Sequence, residues 1–253
     1  MAKFDCKLCG GTGWIVSERD GVSQADRCRC VAESRADDLE RSAQIPKNYA
    51  RASTEDIILP VDNPLERDIL ARAMITIMSY IREYPAVSKP GLLLAGPPGT
   101  GKTYLAVAAL RQLLARGHDG VFFDYQNLLD RIREGYSEAL GTTSREAYRS
   151  ALETEILLLD DLGAHRVTDW VEDTVTAIIT YRYNQRKALI ATTNCSDPDF
   201  GGVTTARDRQ AGEPMRPLLE QRVGERARSR LFEMCRVVPL WGVGDYRLKQ
   251  VRS

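Results

Sequence analysis

Histidine is scarce in this chain. The two present, His118 and His165, match no metal-ligand spacing and read as loop residues. There is no excess of charge of either sign: 35 lysines and arginines balance 35 aspartates and glutamates. That argues against a surface coated for nonspecific grip on duplex DNA, while leaving room for a local basic channel. No run of about 20 apolar residues occurs, so no membrane span is expected. No apolar N-terminal stretch resembles a signal peptide, which points to a reducing, cytoplasmic setting. No internal repeat is visible, nor a segment the size of a separate helical lid. What is there is a 253-residue chain, 43% hydrophobic and 28% charged, long enough to bury a good core.

Cysteine is unevenly spread. Four of the six fall in the first 30 residues, as Cys6-x-x-Cys9 and Cys28-x-Cys30. Clustered thiols in a reducing compartment are metal ligands more often than disulfides, and four thiolates can close a tetrahedral Zn²⁺ site. Glycines 10, 11 and 13 permit the tight turn that aims backbone N–H groups at sulfur. The string also resembles the C-x-x-C-x-G-x-G unit of DnaJ-type zinc modules, in a single copy. Free thiols and an iron–sulfur site are the alternatives. Cys195 and Cys235 lie beside apolar runs without partners at ligand spacing and read as small core residues.

The strongest signal is Gly96-Pro97-Pro98-Gly99-Thr100-Gly101-Lys102-Thr103, a complete G-x-x-x-x-G-K-[ST]. The apolar run 92–95 before it reads as a buried strand, and 101–116 after it as a helix starting near Tyr104. Strand, glycine-rich loop and helix N-terminus together cradle phosphates. Lys102 would reach the β- and γ-phosphates of ATP, and the Thr103 hydroxyl would ligate Mg²⁺. A second apolar run, Ile156 to Leu159, ends in Asp160-Asp161. Asp160 is suited to hold Mg²⁺ through water and Asp161 to orient or deprotonate the attacking water; the alternative is the N-cap of the next helix. A third apolar strand at 188–192 runs into Thr193-Asn194, an amide able to bond both the γ-phosphate and the lytic water.

In that order, GPPGTGKTYLA (96–106), ILLLDDLG (156–163), ATTN (191–194), GERARSRLFEMC (224–235) and GDYR (244–247) resemble the AAA+ ATPases of the DnaC/IstB type, over about residues 45–250. The resemblance implies a P-loop AAA+ α/β fold; the alternating order of strands and helices implies a parallel sheet with helices on both faces, and the cysteines a small zinc-binding module in front. It implies that Arg230 is a finger reaching a neighbouring subunit's γ-phosphate, with Arg226 and Arg228 as rivals, and that Arg247 senses the nucleotide from the C-terminal end. Planar guanidinium forks suit the charge spread over a transferring phosphoryl group. The family's common Asp-Glu pair is here Asp160-Asp161, one methylene shorter.

The expected organisation is a cysteine module at 1–31, a charged helical linker at 32–44 and the ATPase domain at 45–253. Within the last, Leu65 to Tyr84 is amphipathic, with Ile69, Ala73, Ile77 and Ile81 at helical spacing. Strands are expected at 92–95, 121–125, 156–160, 188–192 and 236–240. Helices are expected at 101–116, across 126–152, at 170–186 and at 215–234, with a mobile loop at 201–212. The resemblance implies that residues 126–152, where Arg131, Arg133, Arg145 and Arg149 interleave with Tyr136 and Tyr148, touch single-stranded DNA; the alternative is a solvated surface, given Glu134, Glu138, Glu146 and Glu153. The expected partners are ATP, single-stranded DNA, further copies of the chain and a replicative helicase gripped by the N-terminal module. The alternatives are a transposase partner on duplex DNA, as in IstB, or a nucleotide-gated binding module that hardly hydrolyses.

Overall fold

A computed structural model describes residues 5–19, 22–134, 141–204 and 215–250. The chain opens with an antiparallel hairpin, β1 (Trp14–Arg19) and β2 (Val22–Arg27), then helix α1 (Arg29–Ser42). Helix α2 (Pro64–Glu83) follows, with Asn63 accepting from the Glu66 N–H at 3.2 Å and Pro64 opening the first turn. The missing proline N–H costs nothing at that position.

The core alternates strand and helix: β3 (Gly91–Ala95), α3 (Lys102–Ala115), β4 (Gly120–Asp124), α4 (Tyr125–Glu134), α5 (Gly141–Glu153), β5 (Ile156–Asp160), α6 (Asp169–Asn184) and β6 (Ala188–Thr193). The chain then runs through α7 (Glu220–Val223), α8 (Glu225–Met234), β7 (Cys235–Pro239) and α9 (Tyr246–Gln250). The five core strands form one parallel sheet in the order β4-β5-β6-β3-β7.

Every residue of β3 and β6 is buried. A parallel sheet is covered on both faces, which is why its strands read as continuous apolar runs. Successive side chains alternate between two cores. Leu93, Leu157, Leu159 and Leu189 meet α4, α5, α6 and α8 on one face. Leu92, Leu94, Leu158 and Ile190 meet α2 and α3 on the other, with Ala73, Ile77 and Ile81 of α2 buried there. Cys195 and Cys235 are buried core residues, as their apolar flanks predict.

Two expected spans come out differently. The helices expected over about 215–234 start later: residues 215–219 are not helical, and Gly224 (φ 82°) separates α7 from α8. At φ 82° and ψ 154° Gly224 holds a backbone conformation that only glycine adopts readily. The strand expected at 121–125 ends at Asp124, and Tyr125 begins α4. Most of the loop expected at 201–212, and Tyr136 and Glu138, lie outside the described residues. No helix among the described residues is long and apolar enough to cross a membrane.

One buried side chain fixes the end of α5. Arg182 on α6 is fully buried, and its guanidinium donates to the carbonyls of Ala151 (2.9 Å), Leu152 (3.2 Å), Thr154 (3.0 Å) and Glu155 (3.0 Å) and to that of Ala188. The last carbonyls of a helix have no partner within it. Arg182 supplies one from the neighbouring helix, and burial lowers its pKa to about 10.

Candidate functional site

Three adjacent strands, β5, β6 and β3, deliver the three sequence motifs to one edge of the sheet, beyond their carboxyl ends. Ligand chemistry in such sheets gathers at that edge. The Gly96 N–H donates to the Thr193 carbonyl at 3.2 Å, tying the glycine-rich loop to β6. Gly99 (φ 80°) and Gly101 (φ 87°) take left-handed backbone that a side chain would resist, and Gly101 caps α3, which begins at Lys102. The first N–H groups of α3 thus face the loop without intrahelical partners. Within the loop, the Pro97 carbonyl accepts from Thr100 Oγ1 at 2.9 Å and from Lys102 Nζ at 2.8 Å. Tyr104 sits one residue further in, its hydroxyl accepting from the Ser53 N–H at 3.2 Å.

Lys102, Asp160, Asp161 and Asn194 form one connected group. Lys102 Nζ donates to Asn194 Oδ1 at 2.7 Å, and Asn194 Nδ2 donates to Asp161 Oδ1. Asn194 therefore links the lysine to the second aspartate through its own amide. Thr103 Oγ1 donates to Asp160 Oδ1 at 2.9 Å, which brings the two predicted Mg²⁺ ligands together as hard oxygen donors. Lys102 is 6% exposed, and burial pulls its ammonium down to about 8 against the attraction of Asp161 and Asp160. Burial also raises Asp160, against hydrogen bonds from Thr192 and Thr103, and raises Asp161, against the pull of Lys102. An anion with a divalent cation would relieve both sides of this imbalance.

Thr192 is a member that sequence reasoning passed over. Its hydroxyl donates to Asp160 Oδ1 at 2.6 Å and accepts from the Asp161 N–H at 2.9 Å. It holds Asp161 at φ 60°, a left-handed conformation that aspartate tolerates better than most residues. The only signal was a threonine near a strand end, shared by countless ordinary strands.

The C-terminal segment closes over the loop. The Tyr246 N–H donates to the Gly99 carbonyl at 2.9 Å, and a Cβ on Gly99 would lie 2.1 Å from the Asp245 carboxyl carbon. Arg247 is exposed there, near enough for its charge to act on Lys102 and Asp161. The three arginines of α8 part ways. Arg228 grips Asp197 with both ends of its fork, at 2.6 and 2.7 Å, and also pairs with Asp199. Arg226 is exposed, and Arg230 lies against Tyr183, donating to the Arg226 carbonyl at 3.1 Å.

The expected single-strand surface is less open than its composition suggests. Arg133 pairs with Asp130 and Arg149 with Glu153 along their own helices, and Arg131 lies over Phe123. Tyr148 packs against the core; Arg145 is exposed.

The N-terminal thiols converge. The sulfurs of Cys6, Cys9, Cys28 and Cys30 all lie within 4.8 Å of one another, with Cys6–Cys28 at 3.8 Å and Cys9–Cys30 at 3.6 Å. A tetrahedron of sulfurs at the usual Zn–S distance of about 2.3 Å has edges of about 3.8 Å. The thiols thus fit a single tetrahedral ion. The Gly13 N–H points at Cys9 Sγ (3.3 Å). Burial opposes ionisation of Cys9, but the N–H groups of Gly13 and Gly11 and the thiols of Cys30 and Cys6 outweigh it and bring it to about 6. Cys28 is the N-cap of α1 and Cys30 lies in its first turn. The other end of α1 is seated on the core: Glu40 pairs with Arg111 of α3 at 2.7 Å, and the Ala43 carbonyl accepts from the Phe122 N–H at 2.7 Å.

Comparison with known proteins agrees with this geometry. The family model described as IstB-like ATP binding protein matches residues 33–205. The phage-like element PBSX protein XkdC of Bacillus subtilis is 21% identical over 243 residues, covering 92% of this chain and 80% of its own. The ATP-binding protein assigned to insertion sequence IS1162 of Pseudomonas fluorescens is 27% identical over 177 residues, 69% of this chain and 71% of its own. Among solved structures, a DnaC helicase loader superposes with a TM-score of 0.60 at 30% identity, covering 77% of this chain and 99% of that one. With the phosphate loop, the strand-end carboxylates and the strand-end amide gathered in that fold, the chain belongs to the IstB-like ATP-binding proteins, the DnaC/IstB group of AAA+ ATPases.

Proposed function

We propose that this protein is an ATP-hydrolysing assembly factor of helicase-loader type, which oligomerises around ATP and single-stranded DNA and delivers a replicative helicase. The observation that carries the reading is the four-thiol module joined through α1 to a DnaC-like ATPase core. The module exposes Leu8, Trp14 and Val16, with Arg27 over the Trp14 ring, an apolar surface suited to gripping a protein.

In this reading the loop from Gly96 to Thr103 wraps the phosphates, and Lys102 leaves Pro97 and Asn194 to meet the β- and γ-oxygens. Thr103 and Asp160 hold Mg²⁺, whose part is to neutralise charge on the phosphates. Asp161 and Asn194 orient the attacking water, and Asp161 takes its proton. Arg247 contacts the nucleotide from its own chain, and Arg230 completes the site of the next protomer. Cys6, Cys9, Cys28 and Cys30 hold one structural Zn²⁺.

The test is capture of partners from the host with the full-length protein. Recovery of a replicative helicase by the wild type, and not by a Cys6→Ser/Cys9→Ser variant, supports the loader; failure of the wild type to bind a helicase overturns it. A second reading, the ATPase partner of a transposase, is favoured by the IstB-like family match and the insertion-sequence relative. It predicts ATP-dependent assembly on duplex rather than single-stranded DNA. A protein that binds ATP but shows no turnover with either DNA would instead be a nucleotide-gated binding module.

Assembly has its own test. Arg230→Ala should bind ATP normally and lose turnover by about 10³ or more, the usual worth of an arginine finger. Mixed with Lys102→Ala, which keeps its finger but not its pocket, it should regain part of the activity. Unchanged turnover in Arg230→Ala would show that the active site is complete within one chain.

A further inference from the structure

Arg228 sits between the two arginines best suited to act on a neighbour, yet it faces the other way. Positions 226 and 230 are four apart and share one side of α8; position 228 lies across the helix from them. Its partner Asp197 is 1% exposed and stands three residues after Asn194, the amide that contacts both Lys102 and Asp161. The residues between are Cys195 at 3% and Ser196 at 0% exposure, so the path from Asn194 to Asp197 is packed throughout. The Ser196 N–H bonds the Pro217 carbonyl at 3.0 Å and its carbonyl accepts from the Leu219 N–H at 2.9 Å, which fixes the approach to α7 and α8 as well. Phe232, one turn after Arg228, stacks on Phe200 at 5.6 Å, and the Arg228 guanidinium lies over the Phe232 ring at 4.6 Å. A two-pronged guanidinium–carboxylate pair fixes direction as well as distance.

We propose that Arg228 is a positioning residue: its fork on Asp197 locks the helix bearing Arg226 and Arg230 to the segment leaving Asn194, and so sets where this chain's finger meets the neighbouring protomer's nucleotide. The inference rests on the shared-site reading above. Arg228 then acts on the next site, while its own pocket keeps all its groups.

The experiment compares Arg228→Ala, Arg228→Lys and Asp197→Asn by ATP affinity, by turnover alone, and by turnover in mixtures. Arg228→Ala should bind ATP within about twofold of wild type and lose about 10²-fold in turnover, the cost of a misplacement near 1 Å. Mixed with Lys102→Ala, it should regain activity, because an intact finger is then offered to its intact pocket. Mixed with Arg230→Ala, it should stay inactive, because neither chain offers a well-placed finger. Arg228→Lys and Asp197→Asn, which each keep part of the pair, should lose less and be rescued by the same mixture; they carry the test if the alanine variant does not fold. Wild-type turnover in Arg228→Ala overturns the proposal. So does loss of ATP binding with no rescue by Lys102→Ala, which would make the pair a support of its own pocket. If Arg230→Ala and Lys102→Ala also fail to rescue each other, the shared-site reading itself falls, and the inference with it.

Discussion

Replacing Arg182 by methionine keeps most of the side-chain volume and removes the fork that meets five carbonyls. Hydrogen bonds to a charged group contribute about 1.5 kcal/mol each at the low end, so the gross loss is about 7 kcal/mol. Against this stands relief of a buried charge. Burial pulls the Arg182 guanidinium down to about 10, a shift on the order of 3 kcal/mol. The net destabilisation is therefore about 4 kcal/mol, within the range for breaking a buried charge from its partners. For a chain of this size that is a fall in Tm of about 10 °C. Thermal unfolding followed by circular dichroism measures it, with Arg182→Lys expected between methionine and wild type because one ammonium reaches fewer carbonyls. A methionine variant melting within about 3 °C of wild type would refute the argument, since at most about 1 kcal/mol could then be assigned to the carbonyl cluster.

Lys102→Ala should weaken ATP binding by about 2–3 kcal/mol, roughly 30- to 160-fold, read by calorimetry; unchanged affinity would place the nucleotide elsewhere. Asp161→Asn should keep both the fold and ATP binding, because asparagine also tolerates the left-handed backbone at φ 60°, while single-turnover hydrolysis falls sharply. Purified protein should carry one zinc per chain, lost in Cys6→Ser/Cys9→Ser, with the main melting transition retained; iron with visible absorbance, or no metal at all, would contradict the site.

The parts of this molecule that sequence made legible are those whose chemistry is contiguous. The phosphate loop, the Asp160-Asp161 strand end and the strand running into Asn194 each sit in one short string, and parallel strands carry such strings to a common edge. The four thiols were legible as a set, but how they meet was not: Cys6 lies 3.8 Å from Cys28 and Cys9 lies 3.6 Å from Cys30. What stayed hidden depends on partners far apart in the chain. Arg182, in an amphipathic helix, reads as a surface cation until the carbonyls some 30 residues earlier are seen around it. Arg228 reads as a rival of Arg230 until Asp197, 31 residues away, is seen held in its fork.

The seating of α1 has a mechanical consequence. A flexible tether would let the thiol module tumble while the pocket cycled, so that nothing done at one end would be felt at the other. Here the helix starts within the cysteine cluster, spans about 21 Å, and is pinned near its far end to α3 and β4. The residue that opens α3 is Lys102. α1 therefore runs directly from the thiol cluster to the helix that opens at Lys102, so a shift of that helix at their junction would be felt along α1 toward the cysteines.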